Sequence, residues 1–397
     1  MLFPFIKKDR EESLKTSDYD LPPLRRSDES NPKNYIADQG LVKAVNVAIL
    51  MGQPLLLTGD PGTGKTQLAY RIAWELGLDL FKFETKSNSQ ARDLFYHYDT
   101  LGRFHAVQCS ITDSKNDFQK DNVIDGHIIN EIDCNDNKKD TALVKKNTFY
   151  VNKQDFITYN ALGLALINAN NYEDVCNVLP ASFQHSGPKR SVVLIDEIDK
   201  APRDFPNDIL NEIENMYFRI PELGNSIVEL NNKEKKSNLE INNKDKQSNK
   251  SLHPVIIITS NSEKHLPAPF LRRCAYYNIP FPDKETMIEI VEKRLKDIPV
   301  YINKNKNINE FFISDAVEFF IEIRKQYETA YKPSTAELIL WIAAIREQSE
   351  KENPIIDDPN AVLSSLSVLL KSDKAYENAI NHYRNGAWKP NRLKKVK

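Results

Sequence analysis

The sequence predicts an α/β fold, with a mainly parallel central sheet and a smaller all-helical domain behind it. Three observations carry this expectation. Short apolar runs at 55–57, 192–195 and 255–258 lack polar alternation, as strands buried on both faces do. The first run leads into Gly59-Asp60-Pro61-Gly62-Thr63-Gly64-Lys65-Thr66, after which Leu68, Ala69, Ile72, Ala73 and Leu76 recur at helical spacing. Strand and helix patterns alternate to about residue 282, and only helical patterns follow.

Taken in order, residues 1–33 are polar and broken by Pro22, Pro23 and Pro32, which predicts an irregular arm. Leu41, Val42, Val45, Ala48 and Ile49 predict an amphipathic helix over 35–51. The strand 55–57 and its Gly-rich loop follow, and the next helix stops at Gly77. A second strand is expected over 78–85. Residues 87–108 mix aromatic and basic side chains, and Asp99-Thr100-Leu101-Gly102 in their middle suggests a hairpin. Residues 110–147 are rich in Asp, Asn and Lys and read as a surface insertion, after which helical spacing resumes with Tyr159, Leu162, Ala165 and Leu166. A buried strand over 191–196 ends in Asp196-Glu197, a helix is expected over 208–217, and Gly224-Asn225 suits a hairpin over 218–230. Residues 231–251 are almost without apolar side chains and are expected to be disordered. The run through Val255 and Ile258 ends at Asn261, a last strand fits 275–280, and helical patterns broken near Pro299, Pro333, Pro354 and Pro359 complete the chain.

The loop 59–66 has the form G-x-x-x-x-G-K-[ST], whose chemistry is phosphate binding. Glycines let backbone N–H groups curl around phosphate oxygens, and the following helix presents its positive dipole end. Lys65 can reach the β- and γ-phosphates, the Thr66 hydroxyl can ligate Mg²⁺, and Gln67 continues the cradle into the helix. An apolar strand ending in Asp196-Glu197 supplies the matching acids: Asp196 for Mg²⁺ and Glu197 to polarise the attacking water. The expected ligands are therefore a nucleoside triphosphate and Mg²⁺; nothing in these residues reads the base, so ATP and GTP both stay open.

Composition weighs against some other classes without excluding a nucleic-acid partner. Basic and acidic residues nearly balance, 54 against 56, so no net field points to nucleic acid or a membrane. No apolar run approaches the roughly 20 residues of a membrane span. Cys109, Cys134, Cys176 and Cys274 have neither metal nor redox spacing, which fits free thiols and a cytoplasmic setting. The basic C-terminus, with Arg384, Lys389, Arg392, Lys394, Lys395, Lys397 and Trp388, reads either as a solvated tail or as an arm for a partner.

With these motifs in this order, the chain resembles the AAA+ ATPases, and within them the MoxR-like, dynein-related group. The resemblance covers about residues 35–348. It implies an AAA+ P-loop domain over 34–282 with insertions near 110–147 and 231–251 and a helical lid over 283–348; outside it, the residue pattern gives the arm over 1–33 and a helical extension with the basic tail over 349–397. The resemblance assigns Asn261 as sensor 1, which positions the attacking water, and Arg273, with Arg272 next in line, as the arginine finger that reaches the neighbouring subunit's γ-phosphate. A finger supplied between subunits requires self-association, and the family usually forms hexameric rings. The group carries a hairpin before sensor 1, matching 218–230, and an insertion near 87–108. There Tyr96, Tyr98 and Phe104 either contact a partner or pack within the hairpin. One departure stands out: where a lid arginine, sensor 2, is expected, 331–337 has none. Ala336 holds the matching position and Lys332 is the nearest cation. The implied activity is ATP-driven remodelling of a protein client, with von Willebrand factor A domain proteins as a partner class and bacterial conflict systems as a setting. The alternative is a nucleic-acid motor or a GTP-driven restriction-complex subunit.

Overall fold

The computed structural model describes residues 31–117, 151–230, 252–296, 310–326, 332–384 and 388–394. Residues 1–30 of the expected arm, residues 118–147 of the expected insertion 110–147, the insertion 231–251 and the last residues of the tail lie outside the described residues; residues 110–117, expected to be part of that insertion, instead continue the helix Thr100–Asp117. The chain divides into two compact units. The first comprises Met1–Ser89, Ser191–Asn207 and Val255–Lys397; the second comprises Gln90–Arg190 and Asp208–Pro254.

The first unit is built on a five-stranded sheet. In chain order its strands are β1 (Leu55–Thr58), β2 (Asp79–Glu84), β5 (Ser191–Asp196), β8 (Val255–Thr259) and β9 (Ala275–Asn278), and in space they run β2-β5-β8-β1-β9. Every neighbouring pair is parallel. Leu55, Leu57, Val192, Leu194, Val255 and Ile257 pack on one face against Leu68, Ala69, Ile72 and Ala73 of the helix Lys65–Leu76. Leu56, Val193, Ile195, Ile256 and Ile258 on the other face are equally buried, which explains why these strands read as unbroken apolar runs. Because β5, β8 and β1 are adjacent and parallel, their carboxyl ends open side by side, where open α/β sheets bind ligands. The helix Gln39–Met51 starts where the Asp38 side chain accepts from the backbone of Gly40 and Leu41.

Helices follow β9 within the same unit: Lys284–Leu295, Phe312–Gln326, Thr335–Gln348, Pro354–Asp357, Pro359–Ser365 and Asp373–Arg384. They share a core around Trp341, Phe312, Phe319 and Phe320. Pro354 and Pro359 each stand at a first helical position, where a missing N–H costs nothing, so these prolines begin helices as well as break them. The described residues 388–394 are not a free tail. Trp388 is 6% exposed and meets Phe319 edge-on at 5.0 Å. Arg392 pairs with the buried Asp315 at 2.7 Å and lies over the Phe311 ring, so the positive charge of this stretch is partly spent inside the fold. Among the described residues no helix is long and apolar enough to cross a membrane.

The second unit holds β3 (Tyr96–Tyr98) paired antiparallel with β4 (Ile157–Tyr159), and the hairpin β6 (Tyr217–Ile220) with β7 (Ser226–Glu229). The latter is the hairpin expected around Gly224-Asn225. Two expectations fail here. Residues 87–108 do not form a hairpin: the Asp99 carboxylate accepts from Gly102 N at 2.7 Å and starts the helix Thr100–Asp117, so an apparent turn is a helix cap. Tyr159 belongs to a strand, with the helix beginning only at Ala161. Tyr96 and Tyr98 are buried against the unit's own core, Tyr96 donating to Glu222 at 2.8 Å, so packing is their role; Phe104 stays exposed.

Candidate active site

The Gly-rich loop leaves β1 at Thr58 and winds tightly before the helix Lys65–Leu76. Gly62 (φ 77°) and Gly64 (φ 88°) lie in the left-handed region, so their N–H groups turn inward in a way that L side chains rarely allow. A Cβ on Gly62 would also stand 2.5 Å from the Cβ of Ser334, the residue capping the helix Thr335–Gln348. The Lys65 ammonium is buried under this loop and donates to the carbonyls of Gly59 at 2.8 Å and Asp60 at 3.0 Å. Burial lowers its pKa, opposed by the charges of Asp199, Asp60, Asp196 and Glu197. Thr63 closes the turn through its hydroxyl on the Asp60 carbonyl, and Gln67 follows on the first helical turn.

Parallel register brings the other half of the site to the same edge. Ile195 pairs with Ile258, which places Asp196 beside Thr259. Asp196 Oδ1 accepts from Thr66 Oγ1 at 2.8 Å and from Thr259 Oγ1 at 2.7 Å, while Oδ2 faces Lys82 Nζ at 3.1 Å. Burial pulls the Lys82 pKa down, but the hydrogen bond and charge of Asp196 outweigh it and hold the ammonium above its usual value. The next residue, Glu197, takes a left-handed backbone conformation (φ 57°), and its N–H donates to the same Thr259 hydroxyl at 2.8 Å. Its carboxylate accepts from Asn261 Nδ2 at 3.2 Å and pairs with Lys200. Asp199, also buried, accepts from the backbone of Asn261 at 3.3 Å and of Glu263 at 2.9 Å.

Lys65, Thr66, Asp196, Glu197 and Asn261 therefore meet in one cluster. Arg273 follows the short helix Ala268–Leu271, is exposed, and donates to the Pro269 carbonyl at 3.3 Å; Arg272 is exposed beside it. Lys332 and Ala336 are both exposed. The donor set fits Mg²⁺ bound with phosphate: one hydroxyl and one carboxylate side by side, with most of the coordination sphere left to water and substrate oxygens.

Residues 55–281 match the model of the ATPase family associated with various cellular activities (AAA). The chain belongs to the AAA ATPases. It is accordingly a nucleoside triphosphatase that binds ATP, with Mg²⁺ as the partner ion. No curated protein matches it by sequence. Among solved structures, a Thermotoga maritima RuvB mutant is 13% identical over 87% of this chain and 73% of that one, with a TM-score of 0.42. The Thermotoga maritima RuvB Holliday junction branch migration motor is 14% identical over 85% and 70%, with a TM-score of 0.39.

Sequence reasoning missed several members of this AAA site. Thr259 ties both acids together, yet in sequence it is only the polar end of an apolar run. Lys82 enters because β2 pairs with β5, a neighbour relation that spacing does not announce. Arg324, from the helix Phe312–Gln326, reaches the loop itself by pairing with Asp60 across 264 residues of sequence. The absence of an arginine at 331–337 was the one signal that another residue should be sought.

Proposed function

We propose that this AAA ATPase is MoxR-like and couples ATP hydrolysis in a subunit ring to remodelling of a partner protein. The observation that carries the hydrolytic part is the Glu197 carboxylate held by Asn261 at the open end of β5, next to Asp196 and Thr66. In this proposal the turned N–H groups of the loop and Lys65 bind the phosphates. Thr66 and Asp196 hold Mg²⁺, which when bound neutralises charge on the transferring phosphoryl group. Glu197 accepts a proton from the attacking water, which Asn261 orients. Glu197 must share its carboxylate with Lys200, so the base is restrained until that pair yields. Arg273 acts in the neighbouring subunit's site, where charge builds in the transition state. The hairpin β6-β7 before β8 supports the MoxR-like placement, and a protein carrying a von Willebrand factor A domain is the proposed class of client.

Subunit mixing tests the ring. Arg273→Ala and Lys65→Ala are each expected to be inactive alone, and to regain part of the activity when mixed, because one supplies the intact pocket and the other the intact finger. Mixtures that stay inactive at every ratio would remove the trans role. Hydrolysis stimulated many-fold by DNA, and not by a von Willebrand factor A domain protein, would replace the remodelling reading with a nucleic-acid motor.

A further inference from the structure

We propose that Lys82 is a specificity-determining residue of the metal subsite: its ammonium, set on the Asp196 carboxylate, makes the site refuse a bare divalent cation and admit one that arrives with a triphosphate. The inference rests on the reading of Thr66 and Asp196 as the Mg²⁺ holders, and it adds a residue that the reading does not use. Lys82 belongs to the edge strand β2 and pairs in register with Leu194, while Glu84 pairs with Asp196. The lysine therefore reaches along the strands toward their carboxyl ends, where its Nζ stands 3.1 Å from Asp196 Oδ2. The Asp196 side chain is 8% exposed and that of Lys82 31%, so the carboxylate is enclosed by the fold while the cation keeps access to solvent.

Hydrogen bonding alone does not call for a charge at this place. Asp196 Oδ1 already accepts from the Thr66 and Thr259 hydroxyls at 2.8 and 2.7 Å, and a neutral donor would serve Oδ2 as well. The charge answers a second need. Asp60, Asp196, Glu197 and Asp199 all act on the buried Lys65 ammonium, so four carboxylates converge beside the phosphate loop. Negative charge gathered in this way attracts any bare cation. Three of these acids carry a cation of their own: Lys82 on Asp196, Lys200 on Glu197 and Arg324 on Asp60. Asp199 accepts instead from the backbone of Asn261 and Glu263. Of the three cations, Lys82 is the one on the carboxylate assigned to the metal. A bare divalent ion brought to Asp196 meets like charge at short range, where burial weakens screening. A complex of the ion with a triphosphate carries net negative charge and is attracted by the same ammonium. One lysine thus sets opposite signs for the two forms in which the ion arrives, and metal entry is tied to nucleotide entry.

The test is binding of Mn²⁺ to the full chain, alone and as its complex with a non-hydrolysable ATP analogue, for wild type, Lys82→Met, Lys82→Arg and Asp196→Asn. Electron paramagnetic resonance reads the free ion, and equilibrium dialysis reads the analogue. Lys82→Met is expected to bind bare Mn²⁺ about 5- to 50-fold more tightly, as removal of one like charge at close range should give, and the complex no more tightly than wild type does. Lys82→Arg keeps the charge and should stay within about threefold of wild type for both. A lysine that only holds Asp196 in place predicts the opposite sign, weaker binding of bare Mn²⁺ once it is lost. Bare Mn²⁺ bound no more tightly by Lys82→Met than by wild type, or an equal gain for ion and complex, would overturn the inference. Should Lys82→Met fail to fold, Lys82→Gln supplies a neutral donor, and an unchanged affinity for bare Mn²⁺ there overturns it. Asp196→Asn should remove most of the strengthening that Mn²⁺ lends to analogue binding. If that strengthening stays intact, the metal reading itself fails and takes the inference with it; if it is lost while Lys82→Met gains nothing, the inference alone fails.

Discussion

Replacing Thr259 by valine tests the geometry of the site without touching any residue whose role is to meet substrate. The side chain is 1% exposed, and valine keeps its volume and its preference for strand. What disappears is one hydroxyl that donates to Asp196 at 2.7 Å and accepts from the Glu197 N–H at 2.8 Å. The first bond is charge-assisted and contributes about 1.5–3 kcal/mol; the second, once lost, leaves a backbone donor costing about 1–3 kcal/mol. Glu197 also sits in a left-handed conformation, a strain of about 1–2 kcal/mol for a residue with a Cβ, and the lost N–H bond is what holds it there. The terms overlap, so a net loss of about 2–4 kcal/mol is expected in denaturant unfolding. If half of that falls on the orientation of Glu197, kcat drops about 5- to 30-fold. ATP affinity measured without Mg²⁺ should change less than about threefold, since Lys65 and the loop are untouched. Thr259→Ser, which keeps the hydroxyl, should restore most of the rate. A valine variant that hydrolyses ATP within twofold of wild type would refute the bridging role.

Three further outcomes are expected. Glu197→Gln should lower kcat by about 10²- to 10⁴-fold while a filter-binding assay still detects bound ATP, because the amide keeps the shape and the Asn261 contact but cannot take a proton. Trp388→Ala should lower unfolding free energy by about 3 kcal/mol, read by chemical denaturation, since the ring fills space against Phe319 and Tyr383 lies against the same Phe. Burial pushes the Cys274 thiol up to about 12, so at pH 8 roughly one molecule in 10⁴ carries the thiolate there. Peptide mapping after brief iodoacetamide treatment should therefore find exposed Cys109 alkylated at least about 100-fold faster than Cys274.

What could be read from the sequence followed from local rules. The strands of the sheet are visible because parallel strands are apolar on both faces, and the loop because phosphate binding demands glycines at set intervals. Asp99-Thr100-Leu101-Gly102 deceived because Asp followed by a small residue serves hairpins and helix caps alike, and only the distant partner Ile157–Tyr159 decides which. Tyr96 and Trp388 read as surface candidates because aromatic residues beside charged ones are ambiguous until a core forms around them. Thr259, Lys82 and Arg324 were hidden for another reason: each acts through a partner brought close only by sheet order or by the fold of the lid. Lys82 illustrates it, since its partner Asp196 is reached only because β2 is the neighbour of β5.

The four residues Asp196, Glu197, Ile198 and Asp199 show how one short segment divides its labour. Ile198 is buried and anchors the segment, while three acids point to three tasks. Asp196 meets the loop through Thr66; Glu197 meets Asn261; Asp199 accepts from the backbone of Asn261 and Glu263 and so shapes the turn that carries Asn261. Thr259 closes the circuit from β8 back to Asp196 and Glu197. The ends of β5 and β8 are thus laced by side-chain bonds just beyond their last ladder pair. Asp196 Oδ1 is common to the Thr66 and Thr259 bonds, and the Thr259 hydroxyl is common to Asp196 and the Glu197 N–H, so a pull on Asp196 passes through shared atoms as far as the Glu197 backbone.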